Sequence, residues 1–141
     1  MTWFLLDTNH LSDAIKPVSR VRDRVQSARL EGHVFGICVP VLCELEVGLQ
    51  QLRNEAEFRR RLSEFSRHLQ VWPLGTAIPG FFARMSLDLR GRGRVLSPID
   101  IMLAALTRSM NLTLLTGDRD FEALPDIRIE NWLVEPAVET S

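Results

Sequence analysis

Trp3-Phe4-Leu5-Leu6-Asp7 is the stretch of this 141-residue sequence that decides the fold. Four apolar residues in a row are typical of a short strand that is buried on both faces, as the strands of parallel sheets are. The acid that follows marks the carboxyl end of that strand. In open parallel sheets, functional crevices form beyond this edge. The stretch therefore predicts a parallel sheet and, in Asp7, a first candidate site residue.

Similar apolar segments recur along the chain. A helical pattern separates each from the next, except the last two, between which the segment 117–120 is predicted to be a turn. We predict the further strands at 34–39, 71–74, 113–116 and 127–129. We predict the helices at about 9–17, 19–30, 40–52, 54–69, 77–89 and 97–110. Short strands alternating with helices favour an α/β fold, in which helices cover both faces of a central, mostly parallel sheet. The length suits one domain, which we place over residues 1–141.

Local signals predict how several helices begin and end. We expect Thr8 or Asn9 to cap the first helix, and Asn54 with Glu57 to form a capping box at the start of a later one. The segment 90–94, Arg-Gly-Arg-Gly-Arg, is predicted to be a flexible basic loop.

Composition excludes several classes of protein. No apolar run reaches the roughly 18 residues that a membrane span needs, so we expect a cytoplasmic protein without membrane association. Two cysteines, Cys38 and Cys43, are too few for a disulfide framework or a zinc site. The net charge of −1 gives no general attraction to nucleic acid, but Lys16 is the single lysine among 17 basic residues. The others are arginines, which suit two-point contact with phosphate.

Four acids lie in otherwise apolar or turn contexts: Asp7, Glu44, Asp100 and Asp118. Asp7 and Asp118 follow predicted strands, whereas Glu44 and Asp100 lie near the starts of apolar helices. Strand ends and helix starts converge at one edge of a parallel sheet, so the four carboxylates are expected to meet there. Two carboxylates about 4 Å apart repel by roughly 4 kcal/mol at an effective dielectric constant near 20. A cation that prefers oxygen ligands, Mg²⁺ or Mn²⁺, would balance this repulsion.

Each acid also has an ordinary structural role open to it. Asp7 and Asp118 can begin turns, and Glu44 can lie on a solvated helix face. Asp100 fits a helix start, where an acid gains typically 0.3–1 kcal/mol from the helix dipole. Asp120 is close enough to Asp118 in the chain to be the fourth acid in its place. The residues alone leave these alternatives open, and only the joint placement of the acids favours a site.

The acids lie in sequence blocks that resemble the PIN-domain family, and more narrowly the VapC toxins of bacterial toxin–antitoxin pairs. The blocks are LLDTN at 5–9, VLCELEVG at 41–48, PIDIMLAA at 98–105 and LLTGDRDF at 114–121, closed by ENW at 130–132. Their order and spacing extend the resemblance over nearly the whole chain. It implies a three-layer α/β/α fold and an endoribonuclease that needs Mg²⁺ or Mn²⁺.

The resemblance also implies roles for the acids. Asp7, Glu44, Asp100 and Asp118 correspond to the acidic positions of the family and form the expected catalytic and metal-binding set. Asp7 and Asp100 would be the most direct metal ligands. Glu44 and Asp118 would complete the site, directly or through water.

Neighbouring residues are expected to support the acids. Asn9 would steady Asp7, the kind of support that metal ligands usually need, and Thr116 would help to place the attacking water. His10 stands where similar sequences more often have an aliphatic residue, and we expect it only to pack or to cap.

The resemblance implies three partners: an RNA substrate, an antitoxin of the VapB type whose tail covers the acidic groove, and a second copy of the chain in a homodimer. Arg90, Arg92 and Arg94 are candidates for contacts with RNA phosphates. Arginines at 59–61 and the apolar residues beside them fit either an interface or an ordinary core face.

Two other functions stay open at this stage. One is a PIN-fold binding module that has lost catalysis and binds no cation. The other is a phosphatase of the haloacid-dehalogenase type, which also begins from an acid at a strand end. That class has a second Asp two residues later, and here Asn9 occupies this position.

Overall fold

Six α-helices and five strands lie along residues 1–135, the part of the chain that the computed structural model describes. Two helices follow each of the first three strands, and a short 3-10 helix lies between the last two strands. The strands are β1 (Trp3–Leu6), β2 (Val34–Ile37), β3 (Gln70–Val71), β4 (Thr113–Leu115) and β5 (Arg128–Glu130). The helices are α1 (Thr8–Ala14), α2 (Arg20–Leu30), α3 (Val39–Leu49), α4 (Glu55–Ser66), α5 (Ile78–Gly91) and α6 (Pro98–Ser109). Every predicted element in this range is present. Residues 136–141 of the predicted domain lie outside the described residues.

The five strands form one sheet in the order β3-β2-β1-β4-β5, and every neighbouring pair is parallel. β1 lies in the centre, where Leu5 pairs with Gly36 on one side and with Leu114 on the other. Leu5 and Leu6 are fully buried, as expected for a continuous apolar strand between layers of helices. The predicted α/β fold with a parallel sheet is confirmed.

The start of α1 differs from the prediction, because its cap is Asp7 and not Thr8 or Asn9. The backbone of Asp7 is still extended, and its Oδ1 accepts a hydrogen bond of 2.8 Å from the backbone N–H of His10. The helix therefore begins directly after β1, with no intervening turn. Asp7 therefore follows the last residue of β1 and is also the N-cap of α1.

The capping box predicted at the start of α4 is absent. Asn54 occupies the cap position, but its side chain makes no capping hydrogen bond. Glu57 instead pairs with Arg60 and Arg61 in the next turn. Glu57 could bind either the backbone at the start of α4 or the arginines one turn later, and it binds the arginines.

The segment 90–94 is a loop only in part, because α5 continues to Gly91 and residues 92–94 form the turn that ends it. Gly93 takes a left-handed conformation with φ of 67°. The N–H groups of Gly93 and Arg94 donate to the carbonyls of Arg90 and Leu89, which is the Schellman pattern of a helix end. The second glycine of the segment therefore ends the helix, and the first lies inside it.

The interior of the central sheet differs from its carboxyl edge in the residues that it carries. Its interior is lined by buried apolar residues from β1, β2 and β4, whereas the carboxyl ends of β1 and β4 lead directly into Asp7 and the segment 116–118. In residues 1–135, none of the helices combines the length and apolar character that crossing a membrane requires.

Candidate active site

Asp7 is held at the carboxyl edge by contacts on both sides of its backbone. Its N–H donates to the carbonyl of Leu115 on β4 at 3.1 Å, and its side chain is buried. Oδ1 accepts from the backbone N–H of His10 at 2.8 Å and lies 3.0 Å from Nδ1 of the same residue. Within residues 1–135, the other oxygen of this carboxylate, Oδ2, has no hydrogen bond. Every fully buried side-chain oxygen of the same residues has a hydrogen-bond partner. Because Oδ2 has none, it is not fully buried and can be reached from solvent. Oδ2 is therefore the oxygen available to a ligand.

Glu44 lies in the second turn of α3 and is exposed. The hydroxyl of Thr8 donates to its Oε1 at 2.7 Å. Since Thr8 directly follows Asp7, this bond joins the first residue of α1 to α3. It orients the Glu44 carboxylate toward the edge that carries Asp7. Sequence reasoning did not assign this role to Thr8.

Asp100 is the third residue of α6 and is partly buried. Ser97 caps this helix by accepting a hydrogen bond of 3.2 Å from the Asp100 N–H. Burial raises the pKa of Asp100 above its ordinary value, and the charges of Asp118, Glu44 and Asp7 raise it further, while Ser97 opposes them. Carboxylates from three other parts of the chain therefore act on Asp100. Asp100 serves the helix start and also lies within this acidic group.

Asp118 lies in the segment between β4 and the short helix Arg119–Ala123. Its N–H donates to the hydroxyl of Thr116 at 3.1 Å, and its Oδ1 accepts from the N–H of Asp120 at 2.9 Å. Thr116 is buried, whereas Asp120 is exposed. Only Asp118 of the two acids contributes to the raised pKa of Asp100. The geometry thus favours Asp118 as the fourth acid, and Thr116 as a residue that orders its loop.

Asn9 does not have the predicted contact with Asp7. It is exposed, and no hydrogen bond joins its side chain to that carboxylate within the described residues. His10 makes this contact instead. A residue three positions after a helix cap lies on the same side as the cap, which favours His10 over Asn9 sterically. The i, i+3 spacing of Asp7 and His10 was the sequence signal that could have indicated this pair.

The acidic group suits a hydrated hard cation better than a closed metal cage. Within residues 1–135, no three His, Cys, Asp or Glu side chains are arranged so that together they could hold a metal ion. Mg²⁺, however, commonly binds through one or two carboxylates and keeps several waters or phosphate oxygens as its other ligands. Mutual repulsion of the acids around Asp100 is the feature that such a cation would relieve. The donor set is all oxygen, which disfavours zinc.

The three arginines predicted to contact RNA differ in their surroundings. Arg92 donates to Asp88 at 2.6 Å and to the carbonyl of Ala123, so its guanidinium already has protein partners. Arg90 and Arg94 are exposed and line a cavity of about 210 Å³ that also borders Pro98, the first residue of α6. Arg90 and Arg94 are therefore near the helix that carries Asp100.

Together these features define an α/β domain whose parallel sheet gathers acids, without histidine or cysteine ligands, at its carboxyl edge. Comparison of the sequence with known families gives the family directly. Residues 4–127 match the PIN domain, and the chain belongs to the PIN-domain family. The resemblance noted in the sequence is confirmed.

Relatives and solved structures agree with this assignment. Ribonuclease VapC4 of Mycobacterium tuberculosis is 30% identical over 109 residues, covering 75% of this chain and 83% of that protein. Ribonuclease VapC2 of Rickettsia felis is 24% identical over 132 residues, covering 92% and 97%. The crystal structure of DNA-bound VapBC from Salmonella typhimurium matches with a TM-score of 0.80 and 28% identity, covering 94% of this chain and 99% of that one.

Proposed function

We propose that this protein is a metal-dependent endoribonuclease that acts as the toxin of a toxin–antitoxin pair. The observation that carries the proposal is the placement of four acids at one edge of the sheet: Asp7 is hydrogen-bonded to β4, Thr8 binds Glu44, and Asp118 follows β4. Burial first, and then the charges of Asp118, Glu44 and Asp7, raise the pKa of Asp100 in this group. The names of the relatives, ribonucleases of the VapC group, support RNA as the substrate. We place this activity in the cytoplasm, where cellular RNA is found.

The proposed reaction is hydrolysis of a phosphodiester bond. Asp7 and Asp100 are the proposed direct ligands of Mg²⁺ or Mn²⁺, and Glu44 and Asp118 complete the site. When bound, such a cation supplies an activated water and neutralises charge on the phosphate. The chain itself fixes the ligands: hydrogen bonds to Oδ1 leave Oδ2 of Asp7 accessible, and Thr8 orients Glu44.

The proposed substrate is single-stranded or loop RNA, whose backbone can enter a recessed acidic edge. Such RNA needs cations beside the acids, since phosphates and carboxylates repel each other. Arg90 and Arg94 are proposed to supply them, because both are exposed beside the start of α6. Arg92 is a weaker candidate than the sequence indicated, because Asp88 and Ala123 hold its guanidinium.

An antitoxin is the proposed protein partner. A cavity of about 360 Å³ between α1, α3 and α4 has an apolar lining that includes Ile15, Leu45 and Phe58, and Glu44 stands at its border. A segment with an apolar anchor and a nearby Arg would fill this cavity and reach the acids. The VapBC complexes among the structural relatives support a partner of this type.

The predicted homodimer stays a prediction. On the face of α4 that was one candidate interface, Phe65 is buried and Phe58 and Leu62 pack against the core. Arg59 is paired with Glu46 and Glu55 and holds the pKa of Glu46 at about 2. The residues of this face thus have partners within the same chain.

Cleavage of total RNA tests the proposed function. We expect the purified protein to cut RNA with Mg²⁺ or Mn²⁺ and to stop when EDTA removes the cation. Asp118→Asn should abolish most cleavage, while Asp120→Asn, a change of the same chemistry in the same turn, should not. Absence of cleavage by the wild type, together with absence of Mn²⁺ binding by calorimetry, would favour the inactive binding module. Equal cleavage by wild type and Asp118→Asn would remove Asp118 from the proposed site.

A further inference from the structure

We infer that His10 is a positioning residue for Asp7: its buried imidazole fixes one carboxylate oxygen and keeps the other available for the cation. This inference rests on the proposed function, in which Asp7 is a metal ligand. His10 is fully buried, with 0% of its surface exposed, beside the end of β1. Packing alone would not require a side chain with two ring nitrogens in such a place, since burying unpaired polar atoms is costly.

Both ring nitrogens of His10 have partners, and together these partners determine which nitrogen carries the proton. Nε2 lies 3.0 Å from the backbone nitrogen of Trp132. A backbone N–H can only donate, so Nε2 accepts and is unprotonated. The ring proton is therefore on Nδ1, which donates to Oδ1 of Asp7 at 3.0 Å. The backbone after β5 thus sets the tautomer that Asp7 requires.

The anchor at Trp132 is itself rigidly placed. Its ring packs against Phe4 and Phe35 with centroids 4.9 and 5.6 Å apart, and the Arg24 guanidinium lies 4.0 Å over it. The imidazole is therefore held between a fixed backbone donor and the carboxylate. The Asp7 carboxylate, held by this imidazole, therefore keeps its orientation when no cation is bound.

The consequence for Asp7 is a fixed carboxylate rotation. Its backbone and ring donors both come from His10 and both end on Oδ1. The carboxylate torsion is otherwise broad, so loss of the ring donor would leave one hydrogen bond and a carboxylate free to turn. Removing partners of this kind typically weakens metal affinity or activity by about 10–100-fold.

Two substitutions separate positioning from packing. His10→Asn places its amide nitrogen near the position of Nδ1, so it keeps the donor to Asp7 and loses the acceptor for Trp132. His10→Gln reaches the position of Nε2, so it keeps the acceptor for Trp132 and loses the donor to Asp7. Each variant loses one buried hydrogen bond, and we expect similar decreases in melting temperature.

Calorimetric titration of the RNA-free protein with Mn²⁺ is the main measurement. We expect His10→Gln to bind Mn²⁺ about 10–100-fold more weakly than wild type, and His10→Asn to bind close to wild type. In RNA cleavage, His10→Gln should need correspondingly more Mn²⁺ for half-maximal rate and should recover at high Mn²⁺. A purely structural role would change the melting temperature of both variants without this difference.

The outcomes distinguish the inference from the proposed function. No Mn²⁺ binding by the wild-type protein overturns the proposed function and the inference together. Wild-type binding with equal affinities for His10→Asn and His10→Gln overturns the inference alone. Nitrogen-15 NMR of the wild-type imidazole gives a test that needs no variant: we expect protonated Nδ1 and unprotonated Nε2, and the reverse tautomer contradicts the inference.

Discussion

The negative charge of Asp100, a residue of the candidate site, lowers the stability of the folded protein. Its pKa is raised by burial first and by Asp118, Glu44 and Asp7 next, so the folded protein holds this proton more tightly than the unfolded chain does. When folding raises the pKa of an acid, the bound proton stabilises the folded state. This stabilisation is fully present below the pKa of the unfolded chain, 3.8, and is lost as pH rises through the pKa of the folded protein. At neutral pH, the charged form therefore opposes folding when no cation is bound.

Replacing this charge should stabilise the metal-free protein. We expect Asp100→Asn to unfold at higher urea concentration than wild type at neutral pH, by up to about 1 kcal/mol, since solvent screens a partly exposed group. The difference should shrink in acid, where wild-type Asp100 is protonated. Urea titrations of both proteins at the two pH values check this, and a wild type that is the more stable of the two at neutral pH would contradict it.

At the level of single residues, the sequence predicted a group of acids at one edge of the sheet but not how each acid is held. Asp7 and Asp118 were predicted from their placement after strands, and Glu44 and Asp100 from their placement near the starts of apolar helices. The i, i+3 spacing could have indicated the contact of His10 with Asp7, but not the second contact of His10, with the backbone N–H of Trp132, which lies 122 positions away in the chain. Pattern rules cover neighbours in sequence, and this contact depends on the tertiary fold.

At the level of elements, the strands and helices followed from apolar periodicity, while several ends did not. The segment 90–94 shows the reason. Its two glycines look alike in sequence, but only Gly93 meets the carbonyls that a helix end leaves free. Which glycine ends a helix is decided by geometry that composition does not carry.

The end of α5 also determines which arginines are available to RNA: Arg90 and Arg94 are exposed, whereas Arg92 has partners within the protein. Arg90→Ala and Arg94→Ala should each weaken RNA binding and lower the salt dependence of log K by about 0.7, the value for one phosphate contact to a single strand. Arg92→Ala should act chiefly on stability, because it releases Asp88 and the Ala123 carbonyl. Binding of a short unstructured RNA at several salt concentrations, in Ca²⁺ to prevent cleavage, measures the slopes. Unchanged slopes for Arg90→Ala and Arg94→Ala would remove both from the RNA interface.

Strand β2 depends on a glycine for its packing. A Cβ added to Gly36 would lie 2.5 Å from the ring of Trp72, which covers this strand. We therefore expect Gly36→Ala to destabilise the protein by about 1–3 kcal/mol, the usual cost of overpacking. Gly48→Ala is the matched control, because Gly48 lies in α3 with open space around it. It should stabilise by about 0.4–1 kcal/mol, and urea unfolding that ranks the two variants the other way would contradict the packing argument.

At the level of the whole molecule, the topology explains why distant residues share one site. β1 is central in the order β3-β2-β1-β4-β5, so the carboxyl end that bears Asp7 lies between the starts of α3 and α6 and the end of β4. Parallel connectivity was predictable from alternating strands and helices, and with it the convergence of the acids. How each acid is held was not predictable, because its partner can lie far away in the chain, as Thr8 lies 36 positions from Glu44.

This convergence predicts that a cation stabilises the fold as a whole. A ligand at one hundred times its Kd stabilises the state that binds it by about 2.7 kcal/mol, so excess Mn²⁺ should raise the melting temperature of wild type. Asp7→Asn should lose most of this increase. The substitution keeps the start of α1 intact, since Asn caps helices as well as Asp does, so the loss reports the missing charge. Asp120→Asn should keep the increase, because its acid does not act on Asp100. Equal increases in all three proteins would mean that Mn²⁺ binds elsewhere, and the acidic edge would then need another cation or none.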